Sequence, residues 1–127
     1  MKKDIELIRK ILIEFENNDE EYYYIAYDRP LNIEGYSDKE IAYNLKIMFD
    51  DGLIEGGNGI YGLEIAEVVA KPTSLGHDFI NSTKDDGLWN SFKKKVGQEI
   101  QNMSITMMID LLKKYAVVYF KNKLGID

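Results

Sequence analysis

The strongest constraint on the fold is a helix with a marked start and a marked end in residues 35–55, G-Y-S-D-K-E-I-A-Y-N-L-K-I-M-F-D-D-G-L-I-E. Ser37 or Asp38 can cap the start of this helix, and Glu40 follows Ser37 at the spacing of a capping box. Gly52 can adopt the left-handed conformation that ends a helix. The sequence therefore predicts a capped helix that passes at once into an apolar strand.

This helix has two unlike faces. Four apolar side chains recur at the spacing of a buried stripe and are predicted to lie in the core: Ile41, Leu45, Met48 and Phe49. The other side mixes charged, polar and apolar residues and is the predicted partner-binding face: Lys39, Tyr43, Asn44, Lys46 and Ile47. Tyr43 and Ile47 lie one turn apart, and an apolar pair among charges favours a protein contact. The alternative is that they are ordinary, partly covered surface residues.

The segments around this helix predict a small α+β domain. Residues 4–16 show the period of an amphipathic helix, and Arg9 is predicted to lie on its outer, charged side. Residues 22–28 are rich in the aromatic and β-branched residues that strands favour. The residues after Gly52 and residues 63–70 predict the two strands of a hairpin. The sequence G-G-N-G at residues 56–59 is predicted to form its turn.

The C-terminal part of the chain predicts helices only. Residues 73–82 form a short candidate helix, and Trp89 lies on the apolar face of the next one, where it is predicted to anchor the core. Ser104 can cap the last helix. We therefore expect a domain over residues 1–83, and C-terminal helices over residues 84–127 that pack on it and dimerise.

The last helix carries apolar side chains outside its main apolar face. We expect these residues to form a homodimer, because a second copy of the chain is the simplest cover for a second apolar face: Met107, Leu111, Tyr115 and Val118. Binding to a membrane surface is the alternative, and only four lysines would support it: Lys113, Lys114, Lys121 and Lys123. We expect no membrane partner.

The charge of the chain is unevenly distributed. The formal net charge is -6, and residues 1–72 contain sixteen acidic against eight basic residues. Because phosphate contacts supply most non-specific affinity for nucleic acids, this acidic part disfavours sequence-independent binding to DNA or RNA. The chain contains no cysteine and shows no signal peptide or membrane-spanning pattern, so we expect a cytoplasmic protein.

Residues suited to catalysis or metal binding are few. His77 is the single histidine, so it would have to serve every role in a nucleophilic triad or a metal site. The acidic pairs at residues 50–51 and 85–86 fall where aspartate favours capping of helices and turns. We expect neither an enzyme nor a cofactor, and we expect His77 to orient the start of its helix through a hydrogen bond.

The order of the elements resembles that of a winged-helix domain, with the capped helix in the recognition position and the hairpin as the wing. The usual separate second helix is reduced to residues 31–37. At the level of residues, the chain resembles an uncharacterised family of short, often prophage-encoded proteins, the domain of unknown function 2513. The matching segments are M-K-K-D-I-E-L-I-R-K-I-L at the start, G-Y-S from Gly35, E-I-A-Y from Glu40, G-L-I from Gly52, T-S-L-G-H-D-F from Thr73, and Trp89.

This resemblance implies a winged-helix fold without established catalytic activity, and Asn44 stands where family members often have histidine. Two functions remain open. One is a dimeric, phage-related regulator that binds DNA through Lys39, Tyr43, Asn44 and Lys46. The other is a protein-binding adaptor that uses Tyr43 and Ile47. Charge favours the adaptor, because residues 53–70 contain no lysine or arginine, whereas analogy with the winged-helix fold favours the regulator.

Overall fold

The structure is a computed structural model that describes residues 1–126. The described chain is α+β, as predicted, with five α-helices, one short 3-10 helix and a three-stranded antiparallel sheet. It divides into two compact units, Met1–His77 and a second unit that begins at Asp78. The predicted boundary lay between residues 83 and 84.

The first helix, α1, covers Ile5–Glu16 and begins where Asp4 supplies its cap. The Asp4 carboxylate accepts hydrogen bonds from the backbone N–H groups of Glu6 and Leu7. Arg9, which we expected on the outer side, is only 6% exposed, and its Nη1 lies 3.8 Å from Glu6 Oε1. That expectation is wrong because Arg9 stands four residues after the buried Ile5 and thus on the same face.

Strands β1 (Tyr23–Ala26), β2 (Ile54–Tyr61) and β3 (Glu64–Pro72) form one antiparallel sheet in the order β1-β3-β2. The central strand β3 therefore pairs with a strand on each side, while β1 and β2 are the two edges. The predicted strand over residues 22–28 is present in shortened form as β1. The predicted hairpin is also present, formed by β2 and β3.

The turn of this hairpin lies further along the chain than predicted. Residues 56–59 belong to β2, and the two-residue turn is Gly62-Leu63. Gly62 has a φ of +63° whereas Leu63 does not have a positive φ, a combination that fits a type II′ turn. A Cβ at Gly59 would lie 2.2 Å from the Glu67 carbonyl oxygen. The G-G-N-G segment thus allows a close approach of two strands beside the bulge that follows Gly59.

Helix α2 covers Asp38–Asp50 and confirms the predicted start and end signals. Ser37 Oγ accepts a hydrogen bond from the Glu40 backbone N–H, and the Glu40 carboxylate accepts one from the Ser37 N–H. Gly52, just after the helix, has the predicted positive φ of +72°. Three of the four predicted core residues are fully buried, namely Ile41, Leu45 and Met48. The fourth, Phe49, is only half-buried.

Helix α3 covers Ser74–Thr83, and Thr73 Oγ1 accepts a hydrogen bond from the Gly76 backbone N–H at its start. The following elements are α4 (Asp86–Val96), a 3-10 helix (Gly97–Asn102) and α5 (Ile105–Leu124). As predicted, Ser104 caps α5 by accepting a hydrogen bond from the Met107 backbone N–H.

The core of the second unit is built around Trp89, as the sequence predicted. This indole is only 1% exposed. Its ring centroid lies 6.1 Å from that of Phe79, in an edge-on arrangement, and 6.3 Å from that of Phe92, in a stacked one. Such aromatic contacts add to the large apolar area that a buried tryptophan removes from water.

Candidate partner-binding face

The predicted partner-binding face of α2 is partly exposed. Lys39 is exposed, and Tyr43, Lys46 and Ile47 are half-buried. We call these four residues the α2 outer face. The capping box at Ser37 fixes where this helix begins and hence the position of each residue on the face.

Asn44 does not belong to the α2 outer face, and its predicted exposure is wrong. Its side chain is 1% exposed and is fully hydrogen-bonded. Asn44 Oδ1 accepts a hydrogen bond of 2.8 Å from the Asp4 backbone N–H, and Nδ2 donates to the carbonyl oxygens of Lys2 and Glu40. Since Asn44 stands three residues after the buried Ile41, its spacing was the signal for burial. Asn44 therefore links the start of α1 to α2 and faces no partner.

The side chain of Lys46 makes a hydrogen bond within the first unit. Its Nζ donates a hydrogen bond of 3.1 Å to the carbonyl oxygen of Gly62 in the hairpin turn. This bond connects the middle of α2 to the tip of the hairpin. Lys39 therefore remains as the exposed basic group of the α2 outer face.

The hairpin beside α2 is acidic. Glu55, Glu64 and Glu67 are all exposed, and residues 53–70 contain no lysine or arginine. The Tyr24 hydroxyl donates a hydrogen bond of 2.9 Å to Glu67 Oε2, and this bond raises the pKa of Tyr24. A negative potential is thus expected along the hairpin.

Lys71, the basic residue at the end of β3, is paired with acidic side chains. Its Nζ lies 2.8 Å from Glu21 Oε1 and 4.0 Å from Glu55 Oε1. The hydrogen bond to Glu21 raises the pKa of Lys71 and keeps its amine protonated. This lysine therefore offers little positive charge for a further partner.

An open cleft of about 650 Å³ lies beside the start of α2 and was not predicted from the sequence. The buried Ile25 and Ile41 contribute to its apolar lining, and Tyr27 on its rim is 96% exposed. Asp38 and Glu64 add negative charge to the lining, and Lys39 adds a positive charge. The cleft brings together residues from β1, α2 and the hairpin, so no single stretch of sequence indicates it.

His77 is exposed, and its Nδ1 lies 3.7 Å from Glu16 Oε2. The expected hydrogen bond at the start of α3 is made by Thr73 instead. Within residues 1–126, no group of three or more histidine, cysteine, aspartate or glutamate side chains is arranged to hold a metal ion.

The four residues predicted to form a dimer do not share one environment. Met107, Leu111 and Val118 are exposed on α5. Tyr115 is half-buried, its hydroxyl is hydrogen-bonded to Ser91, and its ring centroid lies 5.7 Å from that of Phe92. Tyr115 therefore packs within its own unit. In the described part of the chain, no helix is both long and apolar enough to cross a bilayer.

Comparisons with known proteins give one family and one relative. Residues 2–102 match the family model described as "Hypothetical protein (DUF2513)". A protein of Haemophilus influenzae (strain ATCC 51907 / DSM 11121 / KW20 / Rd), named "Uncharacterized protein", is 27% identical over 116 residues. This alignment covers 91% of the present chain and 92% of the relative. No solved structure matches the chain.

Proposed function

The chain belongs to the family described as "Hypothetical protein (DUF2513)", and from that premise we propose that it is a non-catalytic protein-binding adaptor built on a winged-helix-like scaffold. The scaffold would be the first unit, and the contact surface would be the α2 outer face. The sheet order β1-β3-β2 and a capped helix followed directly by a hairpin support the winged-helix part of this proposal. Residues 31–37, which are not helical, take the place of the usual second helix.

The observation that carries the proposal is the shortage of available basic groups around α2. Protein–DNA interfaces direct half or more of their hydrogen bonds to phosphate and sugar, largely from lysine, arginine and polar side chains. Here Asn44 is buried, and Lys46 donates to the Gly62 carbonyl oxygen. Lys39 would then face phosphate beside an acidic hairpin. Such a surface would repel a nucleic acid at short range.

The same surface suits a protein contact. Tyr43 and Ile47 stand four residues apart on α2, so they are neighbours on one side of the helix. Both are half-buried, which leaves part of each side chain available to a partner. Tyrosine is enriched at protein interfaces, and few charges are found at interface centres. We therefore place the centre of the contact at this pair.

A phage-related DNA-binding regulator is the second candidate. The position of α2 directly before a hairpin favours it, because winged-helix domains place this helix in the major groove. A dimer of the chain could also place a few basic residues at two half-sites. A partner-retention experiment and a DNA-binding experiment together decide between the two candidates.

Ile47→Glu is expected to reduce retention of the partner strongly. Wild-type protein and variant would be cross-linked to host extract proteins, and the retained proteins would be quantified by mass spectrometry. Burying a glutamate at an interface centre should reduce the amount of the specific partner by about thirtyfold, the effect of losing a hot spot. Ile33→Glu is the matched control, because Ile33 is also half-buried but precedes α2, and it should keep the partner.

Fluorescence anisotropy with pooled genomic DNA at low salt provides the second arm. We expect no saturable binding at micromolar protein, and low salt is the most permissive condition. Binding that Lys39→Ala weakens would overturn the adaptor in favour of the regulator. If no retained protein depended on Ile47, the adaptor proposal would also fail.

We further propose that α5 forms a homodimer through its exposed apolar residues. Met107, Leu111 and Val118 lie close to one line along α5, because their separations of four and seven residues follow the helical repeat. An exposed apolar stripe of this kind is typical of an interaction surface. Light scattering on the full chain should give the mass of a dimer, and Leu111→Glu should give a monomer. Thr106→Glu, at an exposed position off this line, should leave the dimer intact, and a monomeric wild-type chain would refute the proposal.

A further inference from the structure

The two edges of the sheet differ in how well their backbone groups are satisfied. At β1, Asn18 Nδ2 donates a hydrogen bond of 3.0 Å to the Tyr22 carbonyl oxygen. The N–H and C=O groups of Ala26 both bond to Arg29, at 3.0 Å each. The strand is also only four residues long. Short strands and occupied backbone groups are the usual protection of an edge against another strand.

The other edge is open. We call residues 55–59 of β2 the β2 edge. Glu55, Gly56, Gly57 and Asn58 are exposed, and because glycine has no side chain, exposure of Gly56 and Gly57 is exposure of backbone. The strand pairs with β3 on one side only. In an antiparallel strand, alternate residues direct their N–H and C=O groups away from the paired neighbour.

The β2 edge also lacks the residues that usually prevent strand addition. Lysine and proline commonly guard such edges, and residues 53–70 contain neither. Gly56 and Gly57 have no side chains that an added strand would have to displace. The sheet face at Gly57 is also open, since a Cβ placed there would have no neighbouring atom within 4 Å.

Charge indicates what kind of strand would occupy this edge. The exposed Glu55 belongs to the edge itself, with Oε1 4.0 Å from Lys71 Nζ, and the exposed Glu64 lies on the neighbouring strand β3. The first 72 residues contain twice as many acidic as basic side chains, so a second copy of this acidic surface would be repelled. A segment that carries lysine or arginine would be attracted.

We propose that the β2 edge binds an extended, basic segment of a partner protein by β-strand addition. Main-chain hydrogen bonds would supply affinity, and the acidic side chains would select basic sequences. This site uses different residues from the α2 outer face, so it goes beyond the proposed adaptor contact and does not depend on it.

The test uses a peptide of alternating valine and lysine, eight residues long like β2, titrated into the full chain. NMR shifts of the backbone amides of residues 55–59 should report binding. The same peptide with N-methyl groups on two adjacent central residues keeps its charge but loses one backbone N–H donor on each edge of the strand that it forms. It should bind about tenfold more weakly.

The double variant Glu55→Lys, Glu64→Lys should also lose about tenfold in affinity for the unmodified peptide, whereas Ile47→Glu should bind it like wild type.

Equal affinity for both peptides would show attraction by charge alone and would overturn the proposal. Shifts confined to other amides, or no binding at millimolar peptide, would do the same. Slow hydrogen exchange, in the free protein, of the β2 edge amides that point away from β3 would show that these amides already have a partner, and it would also overturn the proposal. Because Ile47→Glu should affect only the α2 contact, failure of the two proposals can be told apart.

Discussion

Replacing Trp89 with alanine is expected to lower the free energy of unfolding by about 3–5 kcal/mol. The indole is 1% exposed and packs between Phe79 and Phe92, so its removal leaves a cavity in the core of the second unit. Small domains have a free energy of unfolding of only about 5–15 kcal/mol, so this one substitution would remove a large part of it. Urea denaturation followed by far-UV circular dichroism would measure the loss.

Two further variants make this result interpretable. Trp89→Phe retains an aromatic ring at the same place and should cost clearly less than alanine. Tyr27→Ala removes an aromatic side chain that is 96% exposed, and it should change the free energy of unfolding by no more than about 0.5 kcal/mol. If Trp89→Ala were as mild as Tyr27→Ala, Trp89 would not be the anchor of this core.

Replacing Asn44 with leucine is expected to cost about 2–3 kcal/mol of unfolding free energy, although leucine is apolar and of similar size. The loss arises because the Asp4 N–H would keep no partner for its 2.8 Å bond, and the carbonyl oxygens of Lys2 and Glu40 would each lose a donor. Asp4 also caps α1 through its carboxylate, so the start of that helix should loosen. Thermal or urea unfolding would measure the effect.

The matched control is Asn90→Leu, the same substitution at an exposed position of α4. It should be nearly neutral, since no buried hydrogen bond is lost. Hydrogen exchange provides a second measurement that a mere packing defect would not reproduce. The Asp4 amide should exchange faster in Asn44→Leu, and an unchanged rate together with unchanged stability would contradict the role assigned to Asn44.

Signals that act over a few residues were read correctly from the sequence. The capping box of Ser37 and Glu40, the positive φ of Gly52 and the cap at Ser104 all depend on neighbours within one turn. Trp89 was placed in the core because its apolar neighbours repeat at helical spacing. Such local rules need no knowledge of the rest of the fold.

Two polar residues on apolar helix faces were wrongly predicted to be exposed. Asn44 and Arg9 both occupy positions that the helical repeat assigns to the buried side, yet their polarity suggested exposure. Burial is tolerated because Asn44 finds partners in Lys2, Asp4 and Glu40. The helical spacing of Asn44 and Arg9 predicts their burial better than their polarity does. Neither signal identifies the partners of Asn44, because Asp4 lies 40 residues away from it in the chain.

Features that depend on the pairing of strands also could not be predicted from short stretches of sequence. The G-G-N-G segment has the composition of a turn, but whether it forms a turn or a strand depends on where β3 pairs with β2. The bond from Lys46 to Gly62 and the cleft beside Tyr27 likewise exist only once the sheet is assembled. For the candidate site, the sequence therefore predicted α2 and its charges but not which side chains remain available.

The empty space at Gly57 offers a practical way to observe the β2 edge. The chain contains no cysteine, so Gly57→Cys would introduce a single thiol to which a fluorescent dye can be attached. A Cβ at this position would meet no atom within 4 Å, whereas one at Gly59 would collide with the Glu67 carbonyl oxygen. Position 57 thus provides a reporter site at the place where a strand would arrive.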